Sequence, residues 1–261
     1  MKGLKDFAVN LARQAGGLLA DKFSQPHEIQ YKGEINLVTE ADKMSEDLII
    51  AAINKSYPDH GILSEESQAQ NLEAKQRWII DPLDGTTNYA HGYPVFCVSI
   101  ALQSDGVITL GVIYDPMRGD LFIAERGSGA YLNGKKIKVS KTATLSRSLL
   151  ATGFPYDIRQ SKNNNIDHFN LMAMEAQAIR RAGAAALDIA YLACGRFDGF
   201  WELKLMPWDM AAACLMVEES GGTISNIAGG KWDIYSPNVL ISNGLIHEQM
   251  ISVLKTSSRM L

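Results

Sequence analysis

A short apolar run that ends at two aspartates limits the fold of this chain more than any other feature of its sequence. Trp78-Ile79-Ile80 predicts a buried strand that stops at Asp81. The segment Asp81-Pro82-Leu83-Asp84-Gly85-Thr86-Thr87 contains a proline that fixes its own φ and a glycine that permits backbone conformations other residues avoid. Such a turn can aim both carboxylates and the Leu83 carbonyl at one point. Oxygen ligands of this kind suit a hard cation such as magnesium.

Two other parts of the chain add acids that could reach the same point. Glu65-Glu66 follows the strand-like Ile62-Leu63, and because side chains alternate along a strand, we expect only one of the two acids to be a ligand. Pro207-Trp208-Asp209 opens a helix that is predicted to run to Ser220, and the apolar run of that helix indicates a buried start. A buried carboxylate needs a partner, and a cation is one.

Each acidic motif also has a purely structural interpretation. Asp84 could merely cap a short helix, and acids at a helix N-terminus, such as Asp209, ordinarily serve as caps. An EF-hand loop is excluded because Leu83 occupies the third position and Gly85 the fifth, and the sequence has neither a GxxxxGK[ST] loop nor an HExxH pair.

Thr86, Thr87 and the amides after them offer hydrogen-bond donors for a phosphate.

Composition and charge exclude several classes of protein. The chain has 261 residues, of which 46% are apolar, and its formal net charge of -4 argues against a broad nucleic-acid surface. Its three cysteines lie far apart with no CxxC pair, as is typical of a reducing compartment. The N-terminus has no signal-peptide core and no apolar run reaches bilayer length, so we expect a cytoplasmic protein with no membrane partner.

Periodicity along the chain predicts an α+β protein. Residues 4–22 and 40–56 are predicted as helices, the second opened by a capping box of Thr39 and Asp42. Strands predominate up to about residue 145, including a hairpin turn at Asn133-Gly134, whereas helices and strands alternate over about 146–261. We expect the two halves to pack as one layered domain over residues 1–261.

The three acidic motifs, in this order, closely resemble the signatures of the inositol monophosphatase family. They are Ser-Glu-Glu-Ser at 64–67, Asp-Pro-Leu-Asp-Gly-Thr-Thr-Asn at 81–88 and Trp-Asp-Met-Ala at 208–211. The resemblance implies a layered α/β sandwich of the inositol monophosphatase/fructose-1,6-bisphosphatase type. It also implies magnesium-dependent hydrolysis of inositol 1-phosphate and related sugar phosphates, a homodimer, and sensitivity to lithium. We expect in-line attack by a metal-activated water, because two metals can activate the water and steady the leaving oxygen.

The resemblance also implies roles for individual residues. Two to three magnesium ions would be held by Glu65, Asp81, the Leu83 carbonyl, Asp84 and Asp209. The catalytic residues would be Glu65, Thr86 and Asp42, of which Thr86, with Asp42 behind it, would orient the attacking water. The substrate would be bound by Gly85, Thr86, Gly183, Ala184, Ala185, Glu202 and Asp209. Lys32 falls in the family's mobile loop near the metals.

Departures from the family pattern leave the substrate open. Ala184 stands where the family often has Ser or Thr, which removes one polar contact, and Arg180-Arg181 could meet a second phosphate or lie in solvent. The alternative substrates are fructose 1,6-bisphosphate, NADP, a nucleotide 3'-phosphate and histidinol phosphate. From another class, a regulatory protein on the same fold could bind a partner without chemistry. The retained acid cluster argues against it, because an idle site has no physical reason to keep acids that repel one another.

Overall fold

The computed structural model describes residues 2–25, 29–31 and 37–257. Its helices are α1 (Lys2–Phe23), α2 (Glu40–Ser56), α3 (Thr86–Ala90), α4 (Ile166–Glu175), α5 (Ala185–Ala193), α6 (Pro207–Ser220) and α7 (His247–Ser257), with a 3-10 turn at Leu145–Arg147. Its strands are β1 (Ile29–Tyr31), β2 (Leu37–Thr39), β3 (Gly61–Ser64), β4 (Gln76–Asp84), β5 (Cys97–Ser104), β6 (Val107–Asp115), β7 (Asp120–Glu125), β8 (Gly129–Leu132), β9 (Lys135–Lys136), β10 (Leu149–Thr152), β11 (Ala178–Arg180), β12 (Gly199–Leu203), β13 (Thr223–Ser225) and β14 (Asn238–Ser242). None of the helices in these ranges is long and apolar enough to cross a membrane.

Two sheets carry most of the strands. The first has the order β3-β4-β5-β6-β7-β8-β9, so that each strand pairs with its neighbour in sequence, antiparallel throughout except for the parallel pair of β3 and β4. The second has the order β11-β10-β12-β14-β13, in which β10 runs parallel to both β11 and β12. Parallel pairs need crossover connections, and α4 and α5 lie in those connections. The expected α+β class is confirmed.

The helices and sheets form five layers. Helices α1 and α2 bury apolar side chains against one face of the first sheet, and Ala15, Ile49 and Trp78 belong to the same core cluster. Helices α5 and α6 fill the space between the two sheets, and their core cluster includes side chains from both halves of the chain. Helices α4 and α7 cover the outer face of the second sheet. A single domain over the whole chain stays a prediction, which this shared core supports.

The central helix α6 explains the apolar run that the sequence shows. All residues from Met210 to Val217 are buried, because a helix between two sheets has no solvent face. The helix approaches the first sheet so closely that a Cβ at Gly111 would lie 2.7 Å from the Ala212 carbonyl oxygen. Gly111 therefore permits the contact that holds the start of α6 against the sheet.

One predicted boundary is wrong, and it lies at the acidic motif. The strand that was expected to stop at Asp81 continues as β4 to Asp84. Asp81 pairs with Ser99 whereas Asp84 pairs with Cys97, so the register shifts between them and the strand bulges. A bulge places an extra residue in one strand and re-aims its side chains. Pro82 can lie within the strand because the bulge does not require its missing N–H.

Candidate active site

The acids of the three motifs line one cavity. This cavity has a volume of about 490 Å³ and lies where β4, α5, β12 and α6 meet. The predicted residues that line it are Glu65, Asp81, Leu83, Asp84, Gly85, Thr86, Gly183, Ala184, Ala185, Glu202 and Asp209. Asp42 lies directly behind Thr86 rather than in the lining, and Lys32 lies outside the described residues. Residues more than a hundred positions apart in sequence are thus brought together.

The bulge of β4 is fixed from both sides. The Leu83 N–H donates to Asp81 Oδ1 at 3.0 Å, which holds the Asp81 carboxylate against its own turn. Ser45 Oγ, on α2, donates to the Pro82 carbonyl at 2.8 Å. Asp81 is 1% exposed and Asp84 is 7% exposed. The two carboxylates are therefore held rigidly at the cavity by backbone and helix contacts.

Asp84 caps the amino end of α5. Its carboxylate accepts from the backbone N–H groups of Ala185 at 3.1 Å, Ala186 at 2.8 Å and Leu187 at 3.3 Å. These are the N–H groups that a helix leaves without an internal partner, and the helix dipole favours an anion there. Asp84 is thus a helix cap, although for α5 rather than for the short helix that follows it in sequence.

Gly85 allows the chain to turn from β4 into α3. Its φ of +98° lies in the left-handed region, and a Cβ there would be 2.9 Å from the Val95 carbonyl oxygen. Thr86 begins α3 at once, so its side chain is turned back to the acids. The Thr86 hydroxyl donates to Asp42 Oδ1 at 2.8 Å and lies 3.1 Å from the Leu83 carbonyl oxygen.

The conformation of the loop after β3 places Glu65, rather than Glu66, in the cavity lining. Glu46 on α2 accepts from the Glu66 N–H at 3.1 Å and also binds the hydroxyl groups of Ser64 and Ser67. This anchor fixes the backbone on either side of Glu65, whose side chain lines the cavity. The alternation expected along the strand agrees with this arrangement.

Asp209 caps the start of α6 and also lines the cavity. Its Oδ2 accepts from the Met206 N–H at 2.7 Å, which caps the start of α6. The same side chain lines the cavity, with its residue half-buried rather than fully buried. Since an ionised carboxylate has about four acceptor sites, one backbone bond leaves Asp209 able to accept from a further donor or to bind a cation.

Burial and mutual repulsion disfavour the charged forms of these acids. Burial, followed by the charges of Glu65, Asp84 and Asp209, raises the pKa of Asp81 well above its usual range. Burial raises the pKa of Asp84 to about 6, although its bonds to the amides of α5 act in the opposite direction. Burial and the charge of Asp84 raise the pKa of Asp209. The charges therefore converge closely enough to repel one another.

The donor set fits a hard divalent cation. Among the described residues, no three His, Cys, Asp or Glu side chains already form a metal-binding cluster. The ligand chemistry nevertheless fits, because carboxylate and carbonyl oxygens are the kind of ligand that magnesium takes from proteins. A cation among them would also offset the repulsion that, after burial, raises the pKa of Asp81. Glu65, Asp81, Asp84 and Asp209 are the residues that would hold it.

The opposite side of the cavity is built from the second half of the chain. Gly183, with a φ of +87°, leads into Ala184 and Ala185 at the start of α5. Glu202 on β12 is 7% exposed, and burial, followed by the charge of Asp188, raises its pKa to about 8. A Cβ at Gly153 would overlap the Glu202 carboxylate. Any residue other than glycine at position 153 would therefore require the Glu202 side chain to move.

Two residues of this side were not singled out from the sequence. Asp188, which is 2% exposed, lines the cavity next to the amino end of α5. The available signal was that it is the one charged residue in the helix sequence AALDIAYLA. Gly153 carried no signal, because its role depends on a side chain from another strand. Arg181 also lines the cavity, and its residue is exposed. This position leaves open both alternatives for Arg180-Arg181, contact with a second phosphate and a place in solvent.

Comparison with known proteins agrees with this geometry. Residues 1–259 match the model of the inositol monophosphatase family. An inositol-1-monophosphatase from Synechocystis is 43% identical over 95% of this chain and 88% of its own length. The Nus factor SuhB of Escherichia coli K12 is 42% identical over 97% of this chain and 96% of its own length. The solved structure of an inositol monophosphatase from Anabaena is 41% identical, covers 98% of this chain and 96% of its own, and superposes with a TM-score of 0.89. The chain belongs to the inositol monophosphatase family, and it is a phosphatase.

Proposed function

We propose that this phosphatase hydrolyses inositol 1-phosphate and related sugar phosphates in the presence of magnesium. One observation carries the proposal: four acids and Thr86, whose hydroxyl donates to the buried Asp42, lie at the same cavity as Glu202. The acids supply the ligands for two to three cations. When bound, magnesium neutralises the phosphoryl oxygens and lowers the pKa of a coordinated water.

The residues of the chain orient the attacking water. Because the Thr86 hydroxyl donates its proton to Asp42, its oxygen lone pairs point away and can accept a hydrogen bond from water. Asp42 is fixed in turn by the N–H of Thr39 at 2.8 Å and the hydroxyl of Thr39 at 2.5 Å. The water is thus aimed from one side, and Asp42 can take up its proton through the Thr86 hydroxyl.

The start of α3 is the end of a helix that remains open to the phosphate. Backbone N–H groups at a helix N-terminus bind anions, and α3 begins at Thr86 beside the acids, whereas the first amides of α5 already donate to Asp84. The phosphate would lie at the start of α3, and the alcohol part of the ester would lie against Gly183, Ala184, Ala185 and Glu202. Direct in-line displacement follows, since Leu83 stands where a DxD-type phosphatase has its second aspartate.

A panel of phosphate esters tests the substrate assignment. We expect the highest kcat/KM with inositol 1-phosphate, lower values with other sugar phosphates, and small values with NADP, fructose 1,6-bisphosphate and a nucleotide 3'-phosphate. Each ester is assayed for phosphate release with and without magnesium, at equal ionic strength. A clear preference for a nucleotide, or turnover that does not need a divalent cation, would overturn the assignment.

A regulatory role is a second candidate, because the relative from Escherichia coli carries the name Nus factor. A regulatory role of this kind would depend on binding through the protein surface and not on phosphatase activity. The Asp84→Asn variant should then lose phosphatase activity but keep its biological function. If a strain that lacks the protein is restored by the inactive variant as well as by wild type, the regulatory role is favoured. Failure of the variant favours the enzymatic role.

A further inference from the structure

A buried carboxyl group with an unused oxygen lies in the wall of the cavity. Asp188 is 2% exposed, and its Oδ1 has no hydrogen-bond partner in the structure. A buried acceptor without a partner destabilises the folded protein. Oδ1 itself is shielded from solvent, so a molecule in the cavity, which Asp188 lines, reaches this carboxyl group at its other oxygen.

Asp188 does not serve the fold in the ways that aspartates near a helix start usually do. The first amides of α5, at Ala185, Ala186 and Leu187, all donate to Asp84. The Asp188 N–H donates to the Ala184 carbonyl at 3.0 Å, as an ordinary helical bond. Its carboxyl group is therefore not a cap for α5. An acid in a helix that is otherwise apolar calls for another reason.

Asp188 and Glu202 form an acidic wall. The charge of Asp188 is the second cause that raises the pKa of Glu202, so the two groups are close. Gly153 keeps the space beside the Glu202 carboxylate free of a side chain. Arg181, which lines the same cavity, reduces the repulsion at both groups. The oxygens of these two neighbouring carboxyl groups accept hydrogen bonds from hydroxyl groups whether or not one of the groups holds a proton.

We propose that Asp188 is a specificity-determining residue that accepts hydrogen bonds from hydroxyl groups of the alcohol part of the substrate. This inference rests on the proposed function, because it assumes that the ester lies with its phosphate at the four metal-binding acids. The ligand class is a phosphate ester of a polyol, with hydroxyl groups near the ester oxygen. An ester whose alcohol part has no hydroxyl group leaves the Asp188 oxygen without a partner.

The test compares two kinds of ester in the same variants. Wild type, Asp188→Ala and Asp188→Asn are assayed in magnesium with inositol 1-phosphate, glycerol 2-phosphate and 4-nitrophenyl phosphate. For Asp188→Ala we expect kcat/KM to fall about 10- to 100-fold with the better of the two polyol esters, as for the loss of hydrogen bonds to a charged group. With 4-nitrophenyl phosphate we expect a change of about twofold or less. Asp188→Asn keeps one acceptor, and we expect a smaller loss.

Controls separate this role from effects on folding and on the cations. Asp167→Asn, at the exposed start of α4, should leave all three rates unchanged. Asp188→Asn keeps the shape of the side chain if Asp188→Ala does not fold. The magnesium concentration for half-maximal rate should stay the same in the Asp188 variants. An effect through the cations would instead change that concentration and reduce all three rates together.

The outcomes distinguish this inference from the proposed function. Equal losses with the polyol ester and 4-nitrophenyl phosphate, or no loss with either, overturn the role of Asp188. If wild type hydrolyses glycerol 2-phosphate but not inositol 1-phosphate, the proposed substrate is wrong, while the ratio between glycerol 2-phosphate and 4-nitrophenyl phosphate still decides the role of Asp188. No hydrolysis of any ester by folded wild type overturns both.

Discussion

The two walls of the cavity differ in how completely their polar atoms are satisfied. On the first wall, formed by β4 and α3, Asp84 accepts from three amides and Thr86 donates to Asp42. On the second wall, formed by α5 and β12, Asp188 has an oxygen without a partner and the pKa of Glu202 is raised to about 8. The first wall is therefore fixed before substrate arrives, as chemistry requires. Under the proposed role of Asp188, the second wall gains its hydrogen-bond partners from the substrate.

Apart from the cation ligands, the largest effect that this comparison predicts is at Thr86. Thr86→Val keeps the shape of the side chain but removes the hydroxyl that donates to Asp42 and that, in the proposed mechanism, orients the water. We expect kcat to fall about 100-fold or more, as for the loss of a proton-transfer group, with little change in KM. Thr144→Val, at an exposed threonine outside the cavity lining, is the control. A fall in kcat of less than about fivefold would mean that the first wall does not orient the water through this residue.

The next effect concerns Gly153 on the second wall. Gly153→Ala pushes a Cβ into the Glu202 carboxylate, and overpacking of this kind costs about 1–3 kcal/mol of unfolding free energy. Gly17→Ala is the control, since a Cβ there meets no atom within 4 Å and lies within α1. Alanine is favoured over glycine in a helix by about 1 kcal/mol, so this variant should gain stability in urea unfolding. If Gly153→Ala is as stable as Gly17→Ala, the contact with Glu202 is not as tight as described.

The raised pKa of Glu202 predicts that ionisation of this buried carboxyl group destabilises the folded protein at alkaline pH. Burial raises this pKa from the ordinary 4.5 to about 8, so between these values the folded state holds a proton that the unfolded chain releases. The contribution of protonated Glu202 to the free energy of unfolding is fully present below pH 4.5 and is lost as the pH rises through about 8. Glu202→Gln stays neutral and should unfold at a higher Tm than wild type at pH 8, with a smaller gap at pH 5.

Melting curves from pH 5 to 9 without divalent cations would measure this effect, with Glu248→Gln at an exposed position of α7 as the control. A constant difference in Tm between Glu202→Gln and wild type over that range would contradict the prediction.

The smallest effect is expected at Lys204, which ties a loop over the second wall. Its Nζ lies 2.6 Å from Asp157 Oδ2 and 2.9 Å from Ser161 Oγ, while its backbone has a φ of +62°. Lys204→Gly and Lys204→Ala both lose these bonds, but only glycine relieves the left-handed backbone. We expect Lys204→Gly to be more stable than Lys204→Ala by about 1 kcal/mol in urea unfolding. Equal stability would mean that this backbone position carries no strain.

The same contrast between the walls explains how much the sequence could predict. Asp81 and Asp84 share one short segment, and local rules for strands, Pro82 and Gly85 were enough to bring their carboxylates together. The end of β4 was wrong because a bulge depends on pairing with β5, which no local pattern shows. The hairpin at Asn133-Gly134 is confirmed, with φ values of +49° and +77°.

Residues of the second wall were harder to predict because their roles depend on distant partners. Glu202 was assigned through the resemblance to a family, by its position before Asp209. Gly153 and Asp188 had no such assignment, since their positions matter only once β10, β12 and α5 pack together. Whether Asp209 is a cap or a cation ligand could not be decided from spacing, and the structure gives its side chain both a capping bond and a place in the cavity lining.

The most direct test of the central claim is phosphate release from inositol 1-phosphate by wild type and Asp84→Asn over a series of magnesium concentrations. We expect wild-type turnover to depend on magnesium, and magnesium to raise the wild-type Tm because it binds the folded state. In Asp84→Asn, turnover should fall about 10²–10³-fold and the rise in Tm should be much smaller. Asp105→Asn, in an exposed turn, should behave like wild type. Magnesium-dependent turnover that survives in Asp84→Asn would contradict the account of the first wall.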